Sequence, residues 1–188
     1  MDDHMERILW TEDEISKRVS ELASQISADF ASLSPSSPPP VFVGVATGAF
    51  LFLSDLVRCI KFPISVDLIR VESYGSGTQS SGAPSISSNL KIDVNGKHVV
   101  VVEDIVDTGH TLSCLLEHLK SKGASSVSVC TFLDKRARRK VEFDLVGEGK
   151  FYRGFECPDA FVVGYGMDFA ELYRNLPYVG VLKPELYN

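Results

Sequence analysis

Val99-Val100-Val101-Val102-Glu103-Asp104-Ile105-Val106-Asp107-Thr108-Gly109-His110-Thr111 decides the fold of this chain. Four successive valines read as a β-strand covered on both faces, as in a parallel sheet. The strand runs into two adjacent carboxylates. A third, Asp107, follows before the short turn Thr108-Gly109. From Thr111 the pattern changes period: Leu112, Leu115, Leu116 and Leu119 recur at i, i+3, i+4 and i+7 and mark one face of a helix. Gly123 reads as its stop.

Strand, acids, turn and helix make a phosphate site plausible on electrostatic grounds alone. A helix N-terminus carries roughly half a positive charge and free N–H donors, so it holds a phosphate without a lysine. Glu103 and Asp104 would repel that phosphate. They suit ribose hydroxyls, or a Mg²⁺ bridging hydroxyls and phosphates. Helix capping by Asp107 or Thr108 accounts for one polar residue here. It does not account for an acid pair, a third acid and a phosphate-type turn together.

Composition bounds the rest. At 188 residues the chain makes one domain, or one domain with a small appendage. A hydrophobic share of 44% is ordinary for a globular protein, and a formal charge of −6 leaves no general footprint for nucleic acid. No apolar run reaches transmembrane length and Met1 to Trp10 has no signal-peptide core, so a cytoplasmic protein without membrane partners is expected. Cys59, Cys114, Cys130 and Cys157 form no C-x-x-C and read as small hydrophobes. His4, His98, His110 and His118 lack zinc spacing.

Along the chain, Thr11 to Glu14 is a capping box, followed by the helical face Ile15, Val19, Leu22 and Ile26. Ser32 to Pro40 reads as an exposed loop. Val41 to Ala46 is a predicted buried strand, Ala49 to Ile60 a helix and Ile64 to Val71 a strand. Glu72 to Ser88 turns to Ser and Gly and reads as a long structureless loop, the kind that often serves as a lid. Asn95-Gly96 signals a hairpin. Ser126 to Leu133 and Phe161 to Gly164 read as further strands. Alternating strands and helices predict an α/β fold with a mostly parallel twisted sheet. Ligands of such sheets bind beyond the carboxyl ends of the strands.

The run from Val101 to Thr111 resembles the phosphoribosyl diphosphate (PRPP) motif of type I phosphoribosyltransferases. The wider pattern is similar to their hypoxanthine-guanine branch. Four more segments agree, in order: Val43 to Phe50, Ser73-Tyr74-Gly75-Ser76-Gly77, Leu133-Asp134-Lys135, and Phe161 to Asp168. The resemblance spans roughly residues 10 to 182. It implies the type I phosphoribosyltransferase fold as a single domain over 1–188, with a core over about 38–165 and a small hood from about 1–37 and 166–188. It also implies purine salvage: transfer of a 5-phosphoribosyl group from PRPP to hypoxanthine and guanine, with Mg²⁺, in a homodimer or homotetramer.

The same resemblance assigns roles. Thr108, Gly109 and Thr111 would hold the 5′-phosphate, and Glu103 and Asp104 would lie beside the ribose hydroxyls, directly or through Mg²⁺. Asp107 would be the general base near purine N7. Lys135 would donate to the 6-oxo group, Phe161 would stack on the purine with Ile105 opposite, and Val162 would meet it through its backbone. Asp168 would border the purine and ligate Mg²⁺ on the diphosphate. Thr47, Gly48 and Arg174 would bind diphosphate. Ser73 and Tyr74 would begin a flexible loop, with Gly75, Gly77 and Gly82 lending it freedom, that excludes water.

One departure stands out. The family's first loop carries a basic residue after a leucine and before the glycine, often across a cis peptide. Here Ala46-Thr47 precedes Gly48, so diphosphate would meet backbone N–H groups and the Thr47 hydroxyl instead. The run Lys135-Arg136-Ala137-Arg138-Arg139-Lys140 reads as a solvated or interface face. A xanthine-preferring transferase and a regulatory protein of the same fold without turnover are the alternatives.

Overall fold

The computed structural model describes residues 1–73 and 84–187. A six-stranded sheet forms its centre, in the order β4-β3-β2-β5-β6-β7. These strands are β2 (Val41–Ala46), β3 (Ser65–Ser73), β4 (Pro84–Ile86), β5 (His98–Val106), β6 (Ser126–Asp134) and β7 (Phe151–Glu156). All neighbours pair in parallel except β3 and β4. The predicted α/β fold with a mostly parallel sheet is the observed one.

The valine run occupies β5, between β2 and β6, and both its faces are covered. Val100 and Val102 pack with Phe42, Phe52 and Phe132 beneath helices α1 (Glu12–Phe30) and α2 (Phe50–Cys59). Val99 and Val101 pack with Val41, Val43, Val127 and Val129 beneath α3 (His110–Ser121). All four valines have no exposed surface. Burial at this level contributes roughly 1.5–3 kcal/mol per side chain, which sets the register of the strand and hence the position of the acids near its end.

The capping box holds: Thr11 Oγ1 accepts from the Glu14 amide, and Glu14 Oε2 accepts from the Thr11 amide at 2.8 Å. Ile15, Val19, Leu22 and Ile26 are buried as their spacing predicts. Cys59 and Cys114 lie on helices and Cys130 in a strand, all as free thiols.

A second, three-stranded antiparallel sheet joins β1 (Met5–Trp10), β9 (Val179–Leu182) and β8 (Val162–Val163) in the order β1-β9-β8. It ties the first residues of the chain to the last and holds the segment after Phe161 beside the end of the large sheet. No described helix is long and apolar enough to cross a membrane.

Three expectations need correction. Glu72 to Ser88 is not wholly structureless: β3 runs on to Ser73, and Pro84–Ile86 returns as an antiparallel edge strand, Val71 opposite Ile86. Proline is tolerated there because an edge strand leaves one row of backbone groups unpaired. Tyr74, Gly75, Gly77 and Gly82 lie outside the described residues. Asn95-Gly96 does form a turn, with Lys97 N–H donating to Val94 O, but it leads into the parallel strand β5 and builds no hairpin. The strand predicted over Phe161 to Gly164 is shorter, Val162–Val163.

Candidate active site

β5 does not end at the acids; it carries Glu103 and Asp104 among its last residues and stops at Val106. Asp107 and Thr108 then lead to Gly109, which caps α3 with φ +91. A Cβ at Gly109 would also overlap the Val141 carbonyl oxygen, so the turn needs glycine twice over. Neither Asp107 nor Thr108 caps the helix with its side chain. The first turn of α3 thus keeps donors free for an anion. A small cavity of about 70 Å³ opens there, lined by Glu103, Asp107, Thr108, Gly109 and Thr111.

A larger cleft of about 510 Å³ adjoins it. Asp104, Ile105, Asp107, Lys135, Phe161, Val162 and Asp168 all line it. Residues far apart in the sequence therefore share one wall.

Each is held by identifiable contacts. Lys135 follows β6 and is buried, and its Nζ donates to the Ala160 carbonyl at 2.9 Å. An ammonium has three N–H groups, so two remain for a ligand. Phe161 stacks on Tyr187 with ring centroids 4.6 Å apart, and Phe169 meets its edge. Arg174 donates to the Gly166 carbonyl at 2.8 Å and pairs with Asp168 at 2.9 Å. Asp168 Oδ2 accepts from the Glu171 amide. Gly48 follows the Ala46–Thr47 peptide, which is cis. Its α-carbon lies against the Asp104 carboxylate.

The acid pair is only partly relieved electrostatically. Burial pushes the Glu103 carboxyl well above the usual carboxylate range, and the Asp104 charge adds to the effect. Burial likewise raises Asp104, opposed by hydrogen bonds from Glu103 and the Ile105 amide and by the Arg174 charge. Two desolvated carboxyls side by side suit a cation. Among the described residues no three His, Cys, Asp or Glu side chains gather around a point. Magnesium does not need such a cage, because it takes one or two carboxylates and completes its shell with water and substrate phosphates.

The basic run divides: Arg136, Arg138 and Lys140 are exposed, as expected of a solvated face, whereas Lys135 is buried and Arg139 half-buried. Besides Lys135, Arg139 pairs with buried Asp134 and donates to the Asp107 carbonyl at 3.2 Å. Arg138 pairs with Asp107. Sequence reasoning missed Arg138, Asp159, Ala160, Met167 and Tyr187 as cleft residues. Met167 sits inside a segment already singled out; Tyr187 carries no local signal at all.

Comparison with known proteins identifies the family. The family model described as the phosphoribosyl transferase domain matches residues 11–170. The chain belongs to the phosphoribosyltransferase family, in its hypoxanthine-guanine branch. It is 42% identical over 185 residues to the hypoxanthine-guanine phosphoribosyltransferase of Bacillus subtilis, covering 97% of this chain and 96% of that one. It is 42% identical over all 188 residues to the bifunctional protein TilS/HprT of Listeria monocytogenes, and spans 28% of that longer protein. A crystal structure of a hypoxanthine phosphoribosyltransferase from Staphylococcus aureus superposes with a TM-score of 0.88 at 40% identity, covering 100% of this chain and 97% of that one.

Proposed function

We propose that the chain transfers the 5-phosphoribosyl group of PRPP to hypoxanthine and guanine, giving IMP and GMP with release of diphosphate, as a purine salvage enzyme. The observation that carries this reading is the single cleft lined by Asp104, Asp107, Lys135, Phe161 and Asp168, next to an uncapped helix N-terminus.

Thr108, Gly109 and Thr111 bind the 5′-phosphate through backbone N–H groups and hydroxyls at the start of α3. Glu103 and Asp104 sit beside the ribose hydroxyls. Thr47 and Gly48 offer backbone N–H groups to diphosphate, and Arg174, which already meets the Gly166 carbonyl and Asp168, offers it a guanidinium. The nucleobase lies against Phe161, with Ile105 opposite and the Val162 backbone at its edge. Lys135 donates to a 6-oxo group and so disfavours a 6-amino purine. Asp107 takes the proton from the purine nitrogen as C1′ passes through an oxocarbenium-like state. Ser73 and Tyr74 begin the segment that would exclude water during transfer.

Mg²⁺, held by Glu103, Asp104 and Asp168 together with the substrate, would neutralise charge on the diphosphate. Asp168, which also accepts from Arg174 and the Glu171 amide, would be one of the carboxylates that hold it. The hood is read as about 1–37 and 166–188, over a core of about 38–165 in a single domain; it supplies β1 and β9 of the three-stranded sheet, whose third strand β8 comes from the core range, and α1 packs on the large sheet. The family resemblance carries with it a homodimer or homotetramer in the cytoplasm.

A spectrophotometric assay with PRPP, Mg²⁺ and each of hypoxanthine, guanine, xanthine and adenine tests the reading. Turnover with the first two is expected. Preference for xanthine would reassign the substrate, and no turnover with any purine would leave a PRPP-binding regulatory protein.

A further inference from the structure

Asp107 does not face the cleft alone. Arg138 Nε lies 3.1 Å from its Oδ1, and Arg138 Nη1 lies 3.7 Å from Oδ1 of Asp159. All three residues line the cleft. Oδ1 of Asp107 is covered from solvent and, among the described residues, accepts no aligned hydrogen bond despite the nearby guanidinium. The Asp107 side chain as a whole is nevertheless 40% exposed. Its only other side-chain oxygen is Oδ2, so any carboxylate oxygen surface left open to the cleft is that of Oδ2.

The neighbouring cations are committed elsewhere. Lys135 is fastened to the Ala160 carbonyl, and Arg139 to Asp134 and the Asp107 carbonyl. Arg138 alone of the three touches the Asp107 carboxylate, and it does so from a half-exposed position shared with a second acid. Exposed ion pairs of this kind add little to stability. Their effect is on where a carboxylate points and on the charge around it.

We propose that Arg138 is a positioning residue for phosphoribosyl transfer: it orients the Asp107 carboxylate through Oδ1, leaves Oδ2 to take the purine proton, and is shared with Asp159. The inference rests on the reading of Asp107 as the general base. In the step, the N–H bond of the ring nitrogen breaks and its proton passes to Oδ2. That nitrogen is N7; its freed electron pair stays in the purine ring system, and the lone pair of N9 forms the bond to C1′, while the C1′–O bond breaks and its electrons leave with diphosphate. Asp107 is then neutral, and Asp159 remains as the carboxylate facing Arg138.

Single-turnover rates with PRPP, Mg²⁺ and hypoxanthine, which report the transfer step apart from product release, test this in Arg138→Met, Arg138→Lys, Asp159→Asn, Asp107→Asn and the doubles Arg138→Met/Asp159→Asn and Arg138→Met/Asp107→Asn. Arg138→Met is expected to slow transfer about tenfold, a part of the ~10²–10⁴ that a positioned base supplies, with the KM for PRPP and the melting temperature little changed. Arg138→Lys should recover much of the rate. Asp159→Asn should slow transfer less, and should add nothing once Arg138 is gone. In the Asp107→Asn background, Arg138→Met should have no further effect, because its action runs through that carboxylate. A wild-type rate in Arg138→Met beside an impaired Asp107→Asn overturns the inference alone, as does a loss that multiplies in the Asp107→Asn background. A wild-type rate in Asp107→Asn overturns the assignment of the base itself.

Discussion

Gly48 and Asp104 are in contact where no side chain can come between them: a Cβ on Gly48 would overlap Asp104 Oδ2. The loop after β2 and the acid near the end of β5 thus share one small volume. Gly48→Ala should push the Asp104 carboxylate aside at a cost of about 1–3 kcal/mol, the usual penalty for overpacking. Because Asp104 lines the open cleft, the displacement should fall mainly on PRPP use. A rise in the KM for PRPP with a small fall in melting temperature is expected; unchanged kinetics would separate Gly48 from the site.

Lys135 is buried with its ammonium on the Ala160 carbonyl. Lys135→Met removes the remaining donors from the cleft while keeping the stem's bulk. A hydrogen bond from a charged donor contributes about 1.5–3 kcal/mol, so hypoxanthine should bind roughly tenfold to a hundredfold more weakly, with the preference over adenine narrowed. Competition between the two bases in one assay would read this directly.

Glu103 and Asp104 give a pH dependence of defined sign. Burial raises both carboxyls above the ordinary carboxylate range, so the folded state binds these protons more tightly than the unfolded chain does. Their contribution to stability is full below the unfolded values and is lost as pH rises through the folded ones. Glu103→Gln should therefore melt higher than wild type at pH ~8, and the advantage should vanish near pH ~4, below the ordinary glutamate value. Mg²⁺ with PRPP should raise the wild-type melting temperature at the higher pH more than that of Glu103→Gln, in thermal melts with and without the ligands.

Thr47 stands, exposed, where the family places a base, at a loop that already carries the family's cis peptide. Thr47→Lys should lower the KM for PRPP and slow diphosphate release, since it would add a cation to a loop that, in the proposed reading, meets diphosphate with backbone donors and a hydroxyl. Steady-state and single-turnover measurements together would show it. If neither quantity moves, side-chain charge at this position is irrelevant to diphosphate.

Much of the large sheet was legible because its signals are local. Four valines in a row, a leucine face at helical spacing and a capping box each depend on neighbours along the chain, and β5, α3 and α1 fall where those signals place them. The three-stranded sheet was legible only at β8, read over Phe161 to Gly164 and observed as Val162–Val163; β9, Val179–Leu182, is too short for a period to register, and β1 pairs with a strand from the other end of the chain. The Asn95-Gly96 signal was correct about the turn and wrong about the pairing after it, because the partner of β5 is chosen by burial on both faces. Arg138 was invisible for a related reason. In the sequence it is one cation among several, and only the fold distributes Lys135, Arg138 and Arg139 to a carbonyl, a half-open acid and a buried acid.

Four contacts fasten the segment after β6 to the phosphate turn. The Lys135 amide donates to Val106 O, Arg139 Nε to Asp107 O, and the Lys140 and Val141 amides both to Thr108 O. The residues that would select a nucleobase are thereby stitched to those that would grip a phosphate. A segment 135–141 transplanted from a relative of different base preference would have to bring the same three amides and the same guanidinium to these carbonyls to leave the proposed phosphate turn undisturbed. Retuning such an enzyme is a matter of changing side chains on a retained backbone, not of exchanging loops.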